Sequence, residues 1–349
     1  MSIANNAPVD MGGFQLTSDA PLGARNTLRV DARARLLADV HDPLKLPEVL
    51  AYPAVSAGKV LVIGEGSNLL IKGDIDGTVL VMANRGVETF QRDDRVLIRV
   101  AAGERWDDFV RWSLGQGYAG LENLILIPGT IGASPIQNIG AYGVEVAEFI
   151  DTVEAWDTHK NEFVVLDKAA CAFSYRDSTF KQQPGRWIVV AVTFALPRER
   201  PLSLEYAGIR EEVEKMGVVR ATPYHVAEAV VRLRSRKLPD PAVIGNAGSF
   251  FKNPIVPARK ADALALAHPG LPVWPHAGGT AKISAGWLIE TAGFKGTREG
   301  DAGMSNRHAL VLVNHGKATG PELWNFAQRV ISGVEAKFGV RLEPEPLVI

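Results

Sequence analysis

The sequence predicts an α+β fold in two blocks, and three observations carry that expectation. Over residues 24 to 197, short apolar runs recur without regular strand–helix alternation, which argues against a doubly wound parallel sheet. Around "RERPLSLEYAGIR" (198–210) the chain turns polar, with Pro197 and Pro201 close by, as in a linker or mobile loop. Beyond it, two segments carry the start and stop signals of helices. The expected organisation is a loose N-terminal tail over 1–22, a first domain over 23–197, a linker over 198–221 and a second domain over 222–349.

Local chemistry justifies each element. The first dozen residues are polar and patternless, hence the tail. "VLVIG" (60–64) is a continuous apolar run closed by glycine and reads as a buried strand. "TVLVMAN" (78–84), "RVLIRVAAG" (95–103), "DTVEAWD" (151–157), "EFVVLD" (162–167) and "WIVVAVTFAL" (187–196) follow as strands, broken by Gly, Asp or Asn turns. Within "ERWDDFVRWSLGQG" (104–117), Trp106, Phe109, Val110 and Ser113 recur at helical spacing, and Gly115 and Gly117 are stops. Thr222 is placed to cap a helix whose first position is Pro223. Val226, Val230 and Leu233 form its apolar stripe until "KLPDP" ends it. A last helix opens on Thr319 and Glu322 at capping-box spacing, turns Leu323, Phe326, Val330 and Val334 to one side, and stops at Gly339.

Bulk properties exclude several function classes. The 349 residues carry a net charge of −1 and are 46% apolar, so no overall field favours nucleic acid and an acidic disordered chain is excluded. No apolar run approaches the roughly 20 residues that span a bilayer. The first residues lack the basic and apolar segments of a secretory signal. Cys171 is the single cysteine, which rules out an internal disulfide and fits a reducing compartment. The seven histidines show no metal-ligand spacing, and neither HExxH nor CxxC occurs. A cytoplasmic monomer without nucleic-acid, membrane or metal partners is expected.

Two loops suggest a phosphate-bearing ligand. In "VLVIGEGSNLLI" (60–71) a strand runs into Gly64-Glu65-Gly66-Ser67-Asn68, but Leu69 stands where a dinucleotide fingerprint needs its third glycine, and no helix opens. What remains is a tight turn of amide N–H groups able to hold phosphate, or simply a glycine-rich turn. "LENLILIPGTIGASPIQNIGAYG" (121–143) is longer, and glycines 129, 132, 140 and 143 surround Thr130, Ser134, Gln137 and Asn138. A loop with so few charges binds through its backbone, which suits a large anionic, planar cofactor, while Ile131, Pro135 and Ile139 can pack on a ring.

These loops, together with "YRDS", "GNAGSFFKNP", "AGWLIE" and "LEPE" in that order, resemble the motifs of the UDP-N-acetylenolpyruvoylglucosamine reductase family. The resemblance spans nearly the whole chain beyond the tail. It implies a two-part FAD-binding domain of the vanillyl-alcohol-oxidase type followed by a C-terminal α+β substrate domain. It implies non-covalent FAD held by Gly64, Glu65, Gly66, Ser67, Asn68 and Leu69, and by Pro128, Gly129, Thr130, Gly132, Ser134, Gln137, Asn138, Gly140, Ala141 and Tyr142. NADPH is then the hydride donor and the enolpyruvyl ether of UDP-N-acetylglucosamine the substrate, in bacterial peptidoglycan precursor synthesis. Residues 198–210 become a substrate-covering loop whose Tyr206 reaches the substrate diphosphate; Tyr175, Lys237, Asn253 and His308 also fall on the substrate side. Most of the basic cluster 232–237 needs no ligand, because cations complement a helix C-terminus.

The same resemblance assigns the chemistry to Arg176, Ser249 and Glu345. By sequence alone Arg176 is as well explained by a surface pair with Asp177, and Glu345 by an exposed tail. Ser249 is not a nucleophile: Gly-x-Ser-x-Gly is absent and no partner base is evident. Hydride passes from flavin N5 to C3 of the enolpyruvyl group, charge gathers on C2 and the carboxylate, Arg176 and Glu345 stabilise it, and Ser249 protonates C2. Phe250 and Phe251 would help keep that step dry. One departure concerns Glu345, which is followed here by Pro346 and three more residues rather than by Val-Arg and a further strand, so its anchoring is left open. The absence of a second dinucleotide fingerprint fits NADPH and sugar taking turns in one pocket. Two rivals share parts of the pattern: another FAD oxidoreductase of the same fold, and a non-catalytic nucleotide-sugar binding protein.

Overall fold

The computed structural model describes residues 7–92 and 94–349. The chain divides into two compact units that interleave in sequence: residues 1–20, 34–65 and 75–234 form the first, and 21–33, 66–74 and 235–349 the second.

The first unit contains two five-stranded sheets. In one, Lys59–Ile63 and Arg33–Val40 both run parallel to Ile75–Met82 between them, and Phe14–Pro21 and Val9–Asp10 extend the edge. Phe14–Pro21 lies inside the stretch expected to be a loose tail. It is a strand because Phe14, Leu16 and Ala20 turn into the core, and cross-strand pairing supplies what its polar sequence does not. Residues 1–6 of that expected tail lie outside the described residues. The other sheet is antiparallel throughout, in the order Glu162–Asp167, Ile150–Asp157, Trp187–Pro197, Arg95–Ala101, Val87–Arg92. The helix Trp106–Gly115 packs its buried face here. Trp106 meets Phe109 and Phe194 edge-on and donates its indole N–H to the Leu124 carbonyl at 2.8 Å. Residues 198–206 carry no regular structure, and a short helix, Ile209–Glu214, follows them.

The second unit has a four-stranded sheet ordered Gly245–Asn246, Leu312–Asn314, Ala302–Met304, Arg298–Glu299, and a three-stranded one built from Ile255–Pro257, Thr280–Ile283 and Val273–His276. The helix Gly320–Phe338 has the anticipated capping box, the left-handed Gly339 stop and a buried Leu323–Phe326–Val330–Val334 face. The helix Pro223–Lys237, whose residues 223–234 belong to the first unit, starts and stops as expected, although the Thr222 hydroxyl engages His225 at 2.8 Å rather than a backbone N–H.

One buried ion pair tests the packing of the first unit. Arg186 grips the fully buried Asp157 carboxylate through Nη2 at 2.7 Å and Nε at 3.1 Å, and this contact holds the carboxyl down at about 2. An unfolded aspartate titrates near 3.9, so the pair stabilises the fold above about pH 4, and that contribution is lost as pH falls toward about 2. Asp157→Asn is expected to lower the melting temperature by several degrees at neutral pH. The difference from the unsubstituted chain should close between about pH 4 and 2 in thermal melts.

Candidate active site

In the first unit, the opening residues of one glycine loop, Gly64 and Glu65, meet the second loop where a parallel strand ends. A Cβ added at Gly64, just after Lys59–Ile63, would lie 2.7 Å from the Thr130 hydroxyl oxygen and 3.4 Å from the Ala133 Cβ, so a side chain there would push Thr130 aside. The second loop is laid along Ala102–Trp106: Gly132 N–H donates to the Ala102 carbonyl at 2.9 Å, Ile131 to Glu104 at 2.8 Å, and Trp106 to Gly129 at 2.9 Å. A Cβ at Gly132 would sit 2.7 Å from that of Ala102. Glu65 joins the loops. Its carboxylate accepts from the Gly129 N–H at 3.1 Å and from Arg105 Nε at 2.7 Å. A carboxylate repels phosphate, so a direct cofactor contact of Glu65 would be to a hydroxyl or amide group, while its bonds to Gly129 and Arg105 clamp the second loop. Glu65→Gln keeps the Gly129 acceptor but loses the ion pair, and is expected to weaken FAD binding about two- to fivefold. Glu65→Ala loses both and should cost about tenfold, read by flavin fluorescence on titration.

Two other cofactor candidates turn their side chains inward. The buried Ser134 hydroxyl donates to the Ile131 carbonyl at 2.8 Å. Asn138 donates to Glu145 at 2.8 Å and to the Ser174 carbonyl at 3.1 Å, and its Oδ1 accepts from Ala147 N–H at 3.0 Å. Backbone is what these two positions can offer a ligand. Asn138, Tyr142 and Arg176 all stand in the left-handed region at φ +47°, +51° and +56°, a strain that proteins retain at ligand sites.

Arg176 faces the same loop. Its Nη2 donates to the Gly140 carbonyl at 2.6 Å, and Lys181 Nζ holds the Arg176 carbonyl at 2.8 Å. Asp177 accepts from Gln182 Nε2 at 2.8 Å. Tyr206 stands edge-on to Tyr142 with centroids 5.0 Å apart, and Asn123 Nδ2 bridges the Tyr142 and Ser203 carbonyls at 3.1 and 3.0 Å. The 198–210 segment is thereby tied to the second loop at Tyr142. Arg105 was not singled out from sequence. Arg105 finds its partner forty residues away, which no local spacing announces. Arg234, expected as a helix-end cation, is half-buried; burial pulls it below the ordinary guanidinium range, while Tyr142 and Asp107 oppose that shift.

The second unit gathers Ser249 and Glu345. The Ser249 turn is braced by buried Asn246, which accepts the Gly248 N–H at 3.0 Å and donates to the Pro239 and Ile244 carbonyls. Phe250 N–H donates to the Leu310 carbonyl at 2.7 Å, and its own carbonyl accepts from Glu345 N–H at 2.8 Å. Phe251 bridges Pro344, and Lys252 N–H donates to the Glu343 carbonyl at 3.0 Å. Glu345 is therefore carried on an extended segment paired with the one that follows Ser249. The Ser249 hydroxyl is half-buried and makes no hydrogen bond among the described residues. Phe250 and Phe251, 0% and 1% exposed, stack edge-to-face on each other as core.

The remaining substrate-side candidates also lie in this unit, apart from Tyr175 and Tyr206. Lys237 is exposed at the end of its helix and close enough to influence His308, whose pKa is lowered first by burial and then by the Lys237 and Lys295 ammonium groups. His308 Nδ1 accepts from the Leu310 N–H at 3.2 Å. Asn253 Oδ1 accepts the Ala285 N–H at 3.0 Å and so braces a helix start. Cys171 is buried, and burial pushes its thiol up to about 12, out of range for thiolate chemistry. Among the described residues no group of three His, Cys, Asp or Glu is placed to hold a metal, and no helix is long and apolar enough to cross a membrane.

The residues present fit a flavin dinucleotide. No charged side chain occurs from 128 to 143, the loops meet on glycines, and the space beside Gly143 is open. Residues 34–165 match a family model described as an FAD binding domain, which makes the chain an FAD-binding α+β protein. Residues 240–349 match the model described as UDP-N-acetylenolpyruvoylglucosamine reductase, C-terminal domain. The UDP-N-acetylenolpyruvoylglucosamine reductase of Xanthomonas euvesicatoria pv. vesicatoria is 53% identical over 339 residues, 97% of each chain. That of Xanthomonas campestris pv. campestris is 52% identical over 338 residues, covering 96% of this chain and 97% of its own. The crystal structure of the reductase from Thermus caldophilus aligns with a TM-score of 0.66 at 26% identity, over 96% of this chain and 98% of that one. The chain belongs to the UDP-N-acetylenolpyruvoylglucosamine reductase family.

Proposed function

We propose that the chain reduces the enolpyruvyl ether of UDP-N-acetylglucosamine to UDP-N-acetylmuramate with NADPH, as an FAD enzyme of peptidoglycan precursor synthesis in the bacterial cytoplasm. The observation that carries the residue roles is the pairing of Glu345 N–H with the Phe250 carbonyl, which sets the candidate acid beside the turn that presents an unengaged Ser249 hydroxyl. FAD, held by the 64–69 and 128–142 loops, supplies when bound a ring that takes hydride from NADPH and gives it to C3 of the enolpyruvyl group. Arg176 supplies fixed positive charge for the enolate-like anion left on C2 and the carboxylate. Glu345, protonated or bridged through a donor, stabilises the same charge. The Ser249 hydroxyl gives its proton to C2; as a weak acid it does so only against a strongly basic carbon shielded from water. Lys237 and Tyr206 bind the substrate diphosphate, with Tyr175, Asn253 and His308 on the substrate side, and residues 198–221 cover it. In domain terms FAD belongs to 23–197 and the sugar nucleotide largely to 222–349.

The test is steady-state NADPH oxidation by the yellow protein. It should require the enolpyruvyl UDP-sugar and not proceed with UDP-N-acetylglucosamine. Turnover with both, or with neither, would refute the assignment.

A further inference from the structure

Glu345 stands between two pinned points. On one side Glu343 accepts the Lys252 N–H at 3.0 Å, and Pro344 bridges Phe251. On the other, Leu347–Val348 runs parallel to Leu69–Leu70: Leu347 N–H donates to the Asn68 carbonyl at 3.0 Å, Ile349 N–H to Leu70 at 3.0 Å, and Lys72 N–H to Ile349 at 2.7 Å. Asn68 Nδ2 also reaches the Glu345 carbonyl at 3.4 Å. Only Pro346, which has no N–H, separates Glu345 from the second pin. The Leu347 side chain is 52% exposed, so side-chain burial contributes little there and the backbone ladder does the holding.

We propose that the strand Leu347–Val348 is a positioning element for Glu345, fixing its carboxylate through the Leu347 N–H bond to Asn68. This inference rests on the role given above to Glu345. Without the Leu347 bond the residue keeps its Phe250 and Asn68 Nδ2 contacts but loses the one that fixes the chain directly after Pro346, and such chemistry is sensitive to shifts of a fraction of an ångström.

Leu347→Pro removes the N–H and is the test, at saturating FAD, with the two half-reactions measured separately. Flavin reduction by NADPH is expected to be unchanged, while reoxidation by the enolpyruvyl UDP-sugar slows by about 10- to 100-fold. Leu347→Ala, which restores the N–H, rescues the rate. Amide exchange across 343–349 quickens in the proline variant. In a Glu345→Gln background Leu347→Pro adds no further loss, because both act through one carboxylate. Unchanged reoxidation in Leu347→Pro, equal loss of both half-reactions, or additive losses in the double variant would each overturn the inference. Normal reoxidation in Glu345→Gln alone would instead overturn the role given to Glu345, whatever Leu347→Pro does.

Discussion

Ser249→Ala is expected to leave reduction of the flavin by NADPH within about twofold of the unsubstituted protein, while slowing reoxidation by the enolpyruvyl UDP-sugar by about 10²–10³-fold or more. The asymmetry follows from where the proton is needed. Hydride transfer from NADPH requires no proton from the protein, whereas the carbanion-like C2 left by hydride addition must be protonated before product forms. The substitution removes an oxygen that makes no hydrogen bond among the described residues, so the fold loses nothing that it pairs. The turn is held by Asn246 and by the Phe250 backbone, neither of which changes. A matching loss in both half-reactions would mean that Ser249 binds or folds rather than donates. Stopped-flow absorbance of the flavin under anaerobic conditions separates the two.

Gly66→Ala should be the most damaging single methyl group in the cofactor loop. Gly66 has φ +65°, and a Cβ there would collide with the Arg25 carbonyl and lie 2.8 Å from Asn26 Cα. Both neighbours are backbone atoms in a turn that Asn26 fixes through bonds to the Leu22 and Val30 carbonyls, so they cannot yield cheaply. Left-handed strain alone costs about 1–3 kcal/mol, and the collision adds to it. The variant is expected to purify without yellow colour and to melt well below the parent. Gly143→Ala is the control. Its φ is +82° with nothing within 4 Å of the added atom, so it meets strain without collision and should lose about 1–2 kcal/mol while keeping the fold. Equal effects at the two positions would mean that close packing on Arg25 is not what requires Gly66.

Much of this was legible in the sequence. The strands at Lys59–Ile63, Ile75–Met82, Arg95–Ala101, Ile150–Asp157, Glu162–Asp167 and Trp187–Pro197 are β-branched runs between turn residues, and each lies within a residue or three of its expected limits. The capping box at Thr319 is a purely local device, so it could be read directly. Phe14–Pro21 and Arg33–Val40 were missed because arginines, aspartates and other polar residues interrupt their apolar positions, and pairing with distant strands stabilises them. For the same reason the interleaving of 21–33 and 66–74 with the second unit has no sequence signature. In the site, the glycine loops and the Ser249 turn carry their chemistry in a few consecutive residues. The Glu65–Arg105 clamp and the strand beside Glu345 join residues 40 and 277 positions apart, distances over which spacing conveys nothing. The anchoring of Glu345, left open by the departure at Pro346, is supplied by that short parallel strand.

The most direct measurement is an anaerobic single turnover of the purified yellow protein. One equivalent of NADPH should bleach the flavin absorbance, and subsequent addition of the enolpyruvyl UDP-sugar should restore it as UDP-N-acetylmuramate forms, with only the second phase collapsing in Ser249→Ala. A bleached flavin that the enolpyruvyl sugar does not reoxidise, or a second phase indifferent to the loss of the Ser249 hydroxyl, would contradict the account.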